Sequence, residues 1–273
     1  MPEARQSSGD VFDLRDVHKS FDGAAVLRGI DLRLERGETL GIVGPSGAGK
    51  SVLLKCLIAL LPIDRGELRF EGSSVPDMSA EEQLELRRRV GLLFQGGGLF
   101  DSLSVRDNLA YGLKEQFSRS MKTKQIDERV AWALDAVGLP LSEATTMPAE
   151  LSGGMQKRVG IARTLISRPQ VVLYDAPTQG LDPPNAHRIS DLIAELANKL
   201  GVTSIVVSHD LRTVFTVCNR VAFLHEGRIV QTGTPQELAD SDNPVVRDFI
   251  LGHPPEEPFD PRESQPPEAW EPD

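Results

Sequence analysis

Apolar and polar positions alternate with a period of two over Val11–Val17 and again over Ile30–Leu34, the pattern of half-buried antiparallel strands. Leu40-Gly-Ile-Val43 is a short apolar run that stops at a glycine-rich loop. Val52, Leu53, Leu54, Leu57, Ile58 and Leu61 then recur at helical spacing. Ser79 followed by Glu82 is a capping-box sequence, and it predicts a charged helix reaching Arg89. Val90–Phe94 reads as a strand broken by Gly96-Gly-Gly98. From Ser104 to Ile166 the pattern is helical, with charged faces and no strong strand. Two apolar strand candidates, Val171–Tyr174 and Thr203–Val207, flank a helix over Asn185–Leu200. Val221–Leu224 and Arg228–Gln231 bracket Glu226-Gly227, a hairpin signal, and Asn243-Pro244 opens a last helix as its cap and first residue.

Strands alternating with helices predict an α/β fold whose core sheet is mostly parallel and covered on both faces. An antiparallel β sub-domain precedes it, and an α-helical sub-domain over about residues 97–166 is inserted in it. One folded domain is expected over residues 8–251, followed by an acidic, Pro-rich tail over 252–273 that is expected to be disordered, with Phe259 and Trp270 isolated in it. The chain has 273 residues, 40% hydrophobic and 26% charged, enough to bury a core. Its formal charge is −10; the tail carries seven acids against Arg262, a net −6, which leaves −4 for the body. An acidic chain lacks the basic field of a general nucleic-acid binder, so no nucleic-acid partner is expected. Cys56 and Cys218 have no metal-ligand spacing, which argues for a reduced, cytoplasmic protein over a disulfide scaffold or a zinc site. MPEARQSSGD lacks a signal-peptide pattern. The longest apolar stretch, Ser51–Ile63, is interrupted by Lys55 and falls short of the ~20 residues a membrane span needs. Any service to a membrane is therefore expected from its aqueous side.

Gly44-Pro45-Ser46-Gly47-Ala48-Gly49-Lys50-Ser51 fits GxxxxGK[ST] between an apolar strand and a helix, the context that motif requires. Glycines let the backbone wrap phosphate oxygens with amide donors, and the following helix aims its positive end at the same point. Lys50 supplies charge to the terminal phosphates, and Ser51 offers a hydroxyl to Mg²⁺. Leu151-Ser152-Gly153-Gly154-Met155-Gln156-Lys157-Arg158 precedes a second helix with apolar Val159, Ile161, Ala162 and Leu165. Ser152 can cap that helix, while Gly153 and Gly154 leave amides uncovered at its positive end, a second anion site on the same physics.

The two motifs together closely resemble those of ATP-binding cassette (ABC) proteins, and the resemblance runs from about Phe12 to Gly233. It implies the P-loop NTPase fold of ABC ATPases, with ATP and Mg²⁺ as cofactors. It also implies that Phe21 stacks on adenine and that Gln95 links Mg²⁺ and the attacking water to the helical sub-domain. Asp175, closing Val171-Val-Leu-Tyr-Asp175, would hold Mg²⁺ with Ser51 and Gln95, and His209 would bond the γ-phosphate. Asp182, in Gly180-Leu-Asp182, lies in the family's dimer-seam loop. Ser152, Gly153 and Gly154 would cover ATP held by a second copy, so ATP joins two protomers and hydrolysis releases them. The family usually carries Glu after the Mg²⁺-binding Asp; here Ala176 stands there, and it has no group to accept a proton. Very slow turnover is expected. That the other motifs read intact favours a deliberate replacement over the decay of a natural site.

Leu92–Asn108, Met155 where most ABC importers have Gln, and Ser241–Ile250 resemble the ATPases of Mla/Mce-type lipid transport systems. That resemblance implies an integral-membrane permease whose cytoplasmic helix is gripped near Gln95, and an Mce-type substrate-binding protein beyond the membrane. It implies a peripheral position at the cytoplasmic face of the inner (plasma) membrane. A metabolite importer ATPase would share every nucleotide motif, and a non-hydrolysing ATP-binding regulator fits Ala176 taken literally. A soluble ABC protein would show two cassettes or a long coiled coil, and this sequence shows neither.

Overall fold

A computed structural model describes residues 9–116 and 121–252. β1 (Asp10–Phe21) and β2 (Ala24–Glu35) pair antiparallel as the alternating pattern predicts, through a tight turn at Asp22-Gly23 with φ of 48° and 80°. The free edge of β1 takes β4 (Arg65–Phe70), which in turn pairs with β5 (Ser73–Ser74). Phe12, Leu14, Leu32, Leu34, Leu68 and Phe70 bury one face of this sheet. The sequence pattern missed β4. Arg65-Gly-Glu-Leu-Arg-Phe places only Leu68 and Phe70 inward, too few for a period to register.

The second sheet has the order β10-β9-β3-β8-β7-β6, where β3 is Thr39–Val43, β6 Val90–Leu93, β7 Val171–Asp175, β8 Thr203–Val207, β9 Arg220–His225 and β10 Arg228–Gly233. Every pairing in it is parallel except β9–β10, which turns at Glu226-Gly227 with φ of 47° and 76°. β3, β7 and β8 are buried at each position. Val171 and Leu173 face one core while Val172 and Tyr174 face the other, which is why these strands read as unbroken apolar runs.

The helices are α1 (Lys50–Leu57), α2 (Ala80–Arg89), α3 (Val105–Gln116), α4 (Thr123–Ala136), α5 (Gly153–Leu165), α6 (Pro183–Leu200), α7 (Leu211–Val217), α8 (Pro235–Ala239) and α9 (Pro244–Leu251). α1 stops at Leu57 rather than Leu61, because Ala59 turns left-handed (φ 53°) and Leu60 and Leu61 both donate to the Lys55 carbonyl. The capping box of Ser79 and Glu82 forms as read. α6 starts at Pro183, before the predicted Asn185, since proline suits a first helical turn. α7 and α8 are too short to show a period. Between β6 and β7 the described residues contain α3, α4, α5 and two 3₁₀ turns but no strand, as the helical pattern predicts. Asn243 caps α9, which buries Val246 and Phe249, the latter 5.1 Å edge-on from Phe223. Residues 253–273, with Phe259 and Trp270, lie outside the described residues.

Both thiols are buried and free; burial pushes Cys56 up to about 11 and Cys218 higher still, so neither is a reactive thiolate.

Candidate nucleotide-binding site

β3, β8, β7 and β6 run side by side in the same direction, so their carboxyl ends open on one edge. Gly44–Ser51 follows β3, His209 follows β8, Asp175 ends β7 and Gln95 follows β6. Four segments far apart in sequence thus meet at the place where open α/β sheets bind ligands.

The glycine loop wraps tightly. Gly44 has φ 149°, and a Cβ there would lie 1.9 Å from the Leu224 carbonyl oxygen. Gly44→Ala is therefore expected to cost roughly 3 kcal/mol or more of stability, read as a lower urea midpoint. Gly49 precedes α1 and supplies no side-chain cap, so the helix presents bare amides at its positive end. Lys50 Nζ donates to the carbonyls of Gly44 (2.7 Å) and Pro45 (2.8 Å). Burial pushes its pKa down, and the Asp175 carboxylate partly opposes that. Ser51 Oγ donates to Asp175 Oδ1 at 2.9 Å. A hydroxyl and a buried carboxylate converging beside an ammonium are hard oxygen donors of the kind Mg²⁺ takes. Among the described residues no three His, Cys, Asp or Glu side chains cluster as a metal cage.

Ala176 is 8% exposed with φ 47°, and its N–H donates to the Val207 carbonyl at 2.8 Å. Its methyl carries no acceptor. His209 is exposed just before α7, whose cap Asp210 accepts from Arg212 N–H at 3.0 Å. Gln95 is exposed, and its main-chain oxygen accepts from Lys157 Nζ at 2.7 Å. Phe21, at the end of β1, is 40% exposed, with the Lys19 ammonium 5.4 Å from its ring centre.

Ser152 caps α5 by accepting from Met155 N–H at 3.3 Å, and Asp182 accepts from Asn185 Nδ2 at 2.6 Å. Gly153 and Gly154 stand beside Leu181 and Asn185. The structure thus groups Ser152, Gly153, Gly154 and Asp182 at the starts of α5 and α6. Among the described residues, the side-chain hydrogen bonds of Ser152 and Asp182 run to these neighbours and not to the glycine loop. Met155 packs half-buried against the core, so it fills apolar space.

Two features escaped sequence reasoning. Lys157, 9% exposed, points inward from α5; its one signal is a cation interrupting an apolar helix face. Thr213 Oγ1 donates to Asp210 at 2.7 Å and lies 3.0 and 3.3 Å from the hydroxyls of Ser190 and Thr178, tying the residue after His209 to the loop after Ala176. Hydroxyls scattered over three segments give no local signal.

The family model described as ABC transporter matches residues 27–179. The intermembrane phospholipid transport system ATP-binding protein MlaF of Escherichia coli is 37% identical over 90% of this chain and 91% of that protein. The methionine import ATP-binding protein MetN of Rhizobium johnstonii is 41% identical over 83% of this chain and 62% of that protein. A solved dimeric structure of the ATP-binding cassette MJ0796, in a post-hydrolysis state bound to ADP and Pi, superposes with a TM-score of 0.75 at 29% identity, covering 82% of this chain and 98% of that one.

Proposed function

This chain belongs to the ABC transporter ATP-binding family, and we propose that it binds Mg-ATP as a dimer of itself to drive an integral-membrane lipid permease. The observation that carries the reading is the contact of Ser51 with Asp175, 2.9 Å apart beneath the uncapped start of α1 and next to Lys50. The loop Gly44–Ser51 would wrap the phosphates with its amides, Lys50 would meet their terminal charge, and Phe21 would stack on adenine. Ser51, Asp175 and Gln95 would hold Mg²⁺, which when bound supplies charge that offsets the phosphate oxygens. His209 would bond the γ-phosphate. Ser152, Gly153, Gly154 and Asp182, grouped at the starts of α5 and α6, would serve the partner's nucleotide.

Residues 8–251 form the ATPase domain in this reading, with residues 97–166 as its helical insert and 252–273 as a tail. Among the described residues no helix is long and apolar enough to cross a membrane. The chain is placed as a peripheral subunit at the cytoplasmic face of the inner membrane, gripping the permease near Gln95, with an Mce-type substrate-binding protein in the same complex. Phospholipid or another lipid is the proposed cargo. The likeness to MlaF over nine-tenths of the chain and the Leu92–Asn108 and Met155 segments support it. The likeness to MetN supports a second reading, a metabolite importer. Affinity isolation of the intact complex tests both. Co-purifying permease with bound lipid is the expected result, and a complex devoid of lipid that binds a small metabolite would replace the first reading by the second.

A further inference from the structure

Lys157, Gly160 and Arg163 recur every three residues along α5 and so share one side of the helix. That side lies on the loop carrying Gln95. Lys157 Nζ donates to the Gln95 carbonyl at 2.7 Å. One turn on, α5 presents Gly160, where a Cβ would lie 3.0 Å from both the Gly97 carbonyl oxygen and the Leu93 side chain, so a side chain there would press the loop outward by a few tenths of an ångström. Another turn on, the Arg163 guanidinium donates to the Gly98 carbonyl and lies 4.7 Å over the Phe100 ring. Three contacts from one helix thus hold three of the four residues 95–98.

Burying an ammonium against a neutral carbonyl costs more than burying a methionine of similar length. Burial pushes the pKa of both Lys157 and Arg163 down, so the protein spends stability on this contact. The same helix begins at Ser152–Gly154, about 6 Å along the axis from Lys157 at 1.5 Å per residue. We propose that Lys157 is a positioning residue: with Gly160 and Arg163 it clamps the Gln95–Gly98 loop to α5, so that Gln95 and the Ser152–Gly154 turn move as one body. A push on the loop at one nucleotide is thereby delivered to the turn that faces the partner's nucleotide. This role rests on the ATP-bridged dimer proposed above, but the clamp can be tested apart from it.

The full chain is compared with Lys157→Met, Lys157→Arg and Gly160→Ala by amide hydrogen exchange and by sedimentation at saturating Mg-ATP. Lys157→Met is expected to speed exchange by about tenfold over residues 95–99 and over the first turn of α5, the usual worth of a hydrogen bond to a charged group. Exchange elsewhere should stay unchanged, while the ATP-driven dimer weakens by about tenfold. Lys157→Arg should recover most of the loss. Gly160→Ala favours helix by propensity yet presses on Gly97, so it should weaken the dimer as Lys157→Met does. Unchanged exchange at 95–99, or faster exchange everywhere with a lower melting temperature, overturns the clamp. A parent chain that stays monomeric with Mg-ATP sinks the dimer reading instead, and the exchange data still decide the clamp.

Discussion

Ala176→Glu is expected to raise steady-state ATP turnover by about 10²–10⁴-fold, the usual worth of a positioned general base. Position 176 directly follows Asp175, which contacts Ser51, so a side chain there starts at the edge of the proposed phosphate site. The backbone already accepts a left-handed φ of 47° with a Cβ present, so glutamate adds no new backbone strain. The position is nearly buried and adjoins a second carboxylate. Both effects raise a glutamate pKa, which brings its proton affinity nearer the working pH. Turnover of the glutamate form should accordingly fall as pH drops through that raised pKa, whereas the alanine form should show no such limb. Ala176→Gln has nearly the same size without the base and should stay slow. An alanine form that already hydrolyses ATP at the glutamate rate would end the missing-base argument and leave some other group to activate water.

The contrast between what could be read early and what could not follows sequence separation. Buried parallel strands announced themselves because both faces are covered, so Val171–Tyr174 is apolar throughout. The glycine loop and the Ser152 turn were legible for a different reason: each is a contiguous device whose parts are neighbours in the chain. Their pairing into two groups came only from the family resemblance and not from spacing, since Ser51 and Asp175 stand 124 residues apart and meet only through strand order. β4 escaped for the same reason, as its two inward residues gain meaning only against β1. Lys157 gave no sign of a partner in the sequence, because it meets one only where α5 lies on a loop 62 residues earlier. At the end of α1 two local signals disagreed, and a left-handed Ala59 closed the helix before its apolar spacing ran out.

Lys50→Met is the other large effect, and it separates a nucleotide site from a merely glycine-rich turn. In the parent, saturating Mg-ATP at a hundred times its Kd should stabilise the fold by about 2.7 kcal/mol. At ~2–4 °C per kcal/mol for a chain of this size, that is a rise of about 5–10 °C in Tm. Methionine keeps the length of the stem but removes the ammonium, so Gly44 and Pro45 lose the donor that bridges their carbonyls. Two consequences should separate cleanly. Without nucleotide the Tm should fall only slightly, because water can take over both carbonyl partners at an open loop, leaving little net loss from the two bonds. With Mg-ATP the rise should vanish, because the partly desolvated charge proposed to meet the terminal phosphates is lost. Isothermal titration should then show affinity reduced by about 10² or more, the product of one charge-assisted contact and a loosened loop. If the variant keeps both the parent affinity and the Mg-ATP rise in Tm, Lys50 serves only to tie down its own loop, and the phosphate must be sought elsewhere on the sheet edge.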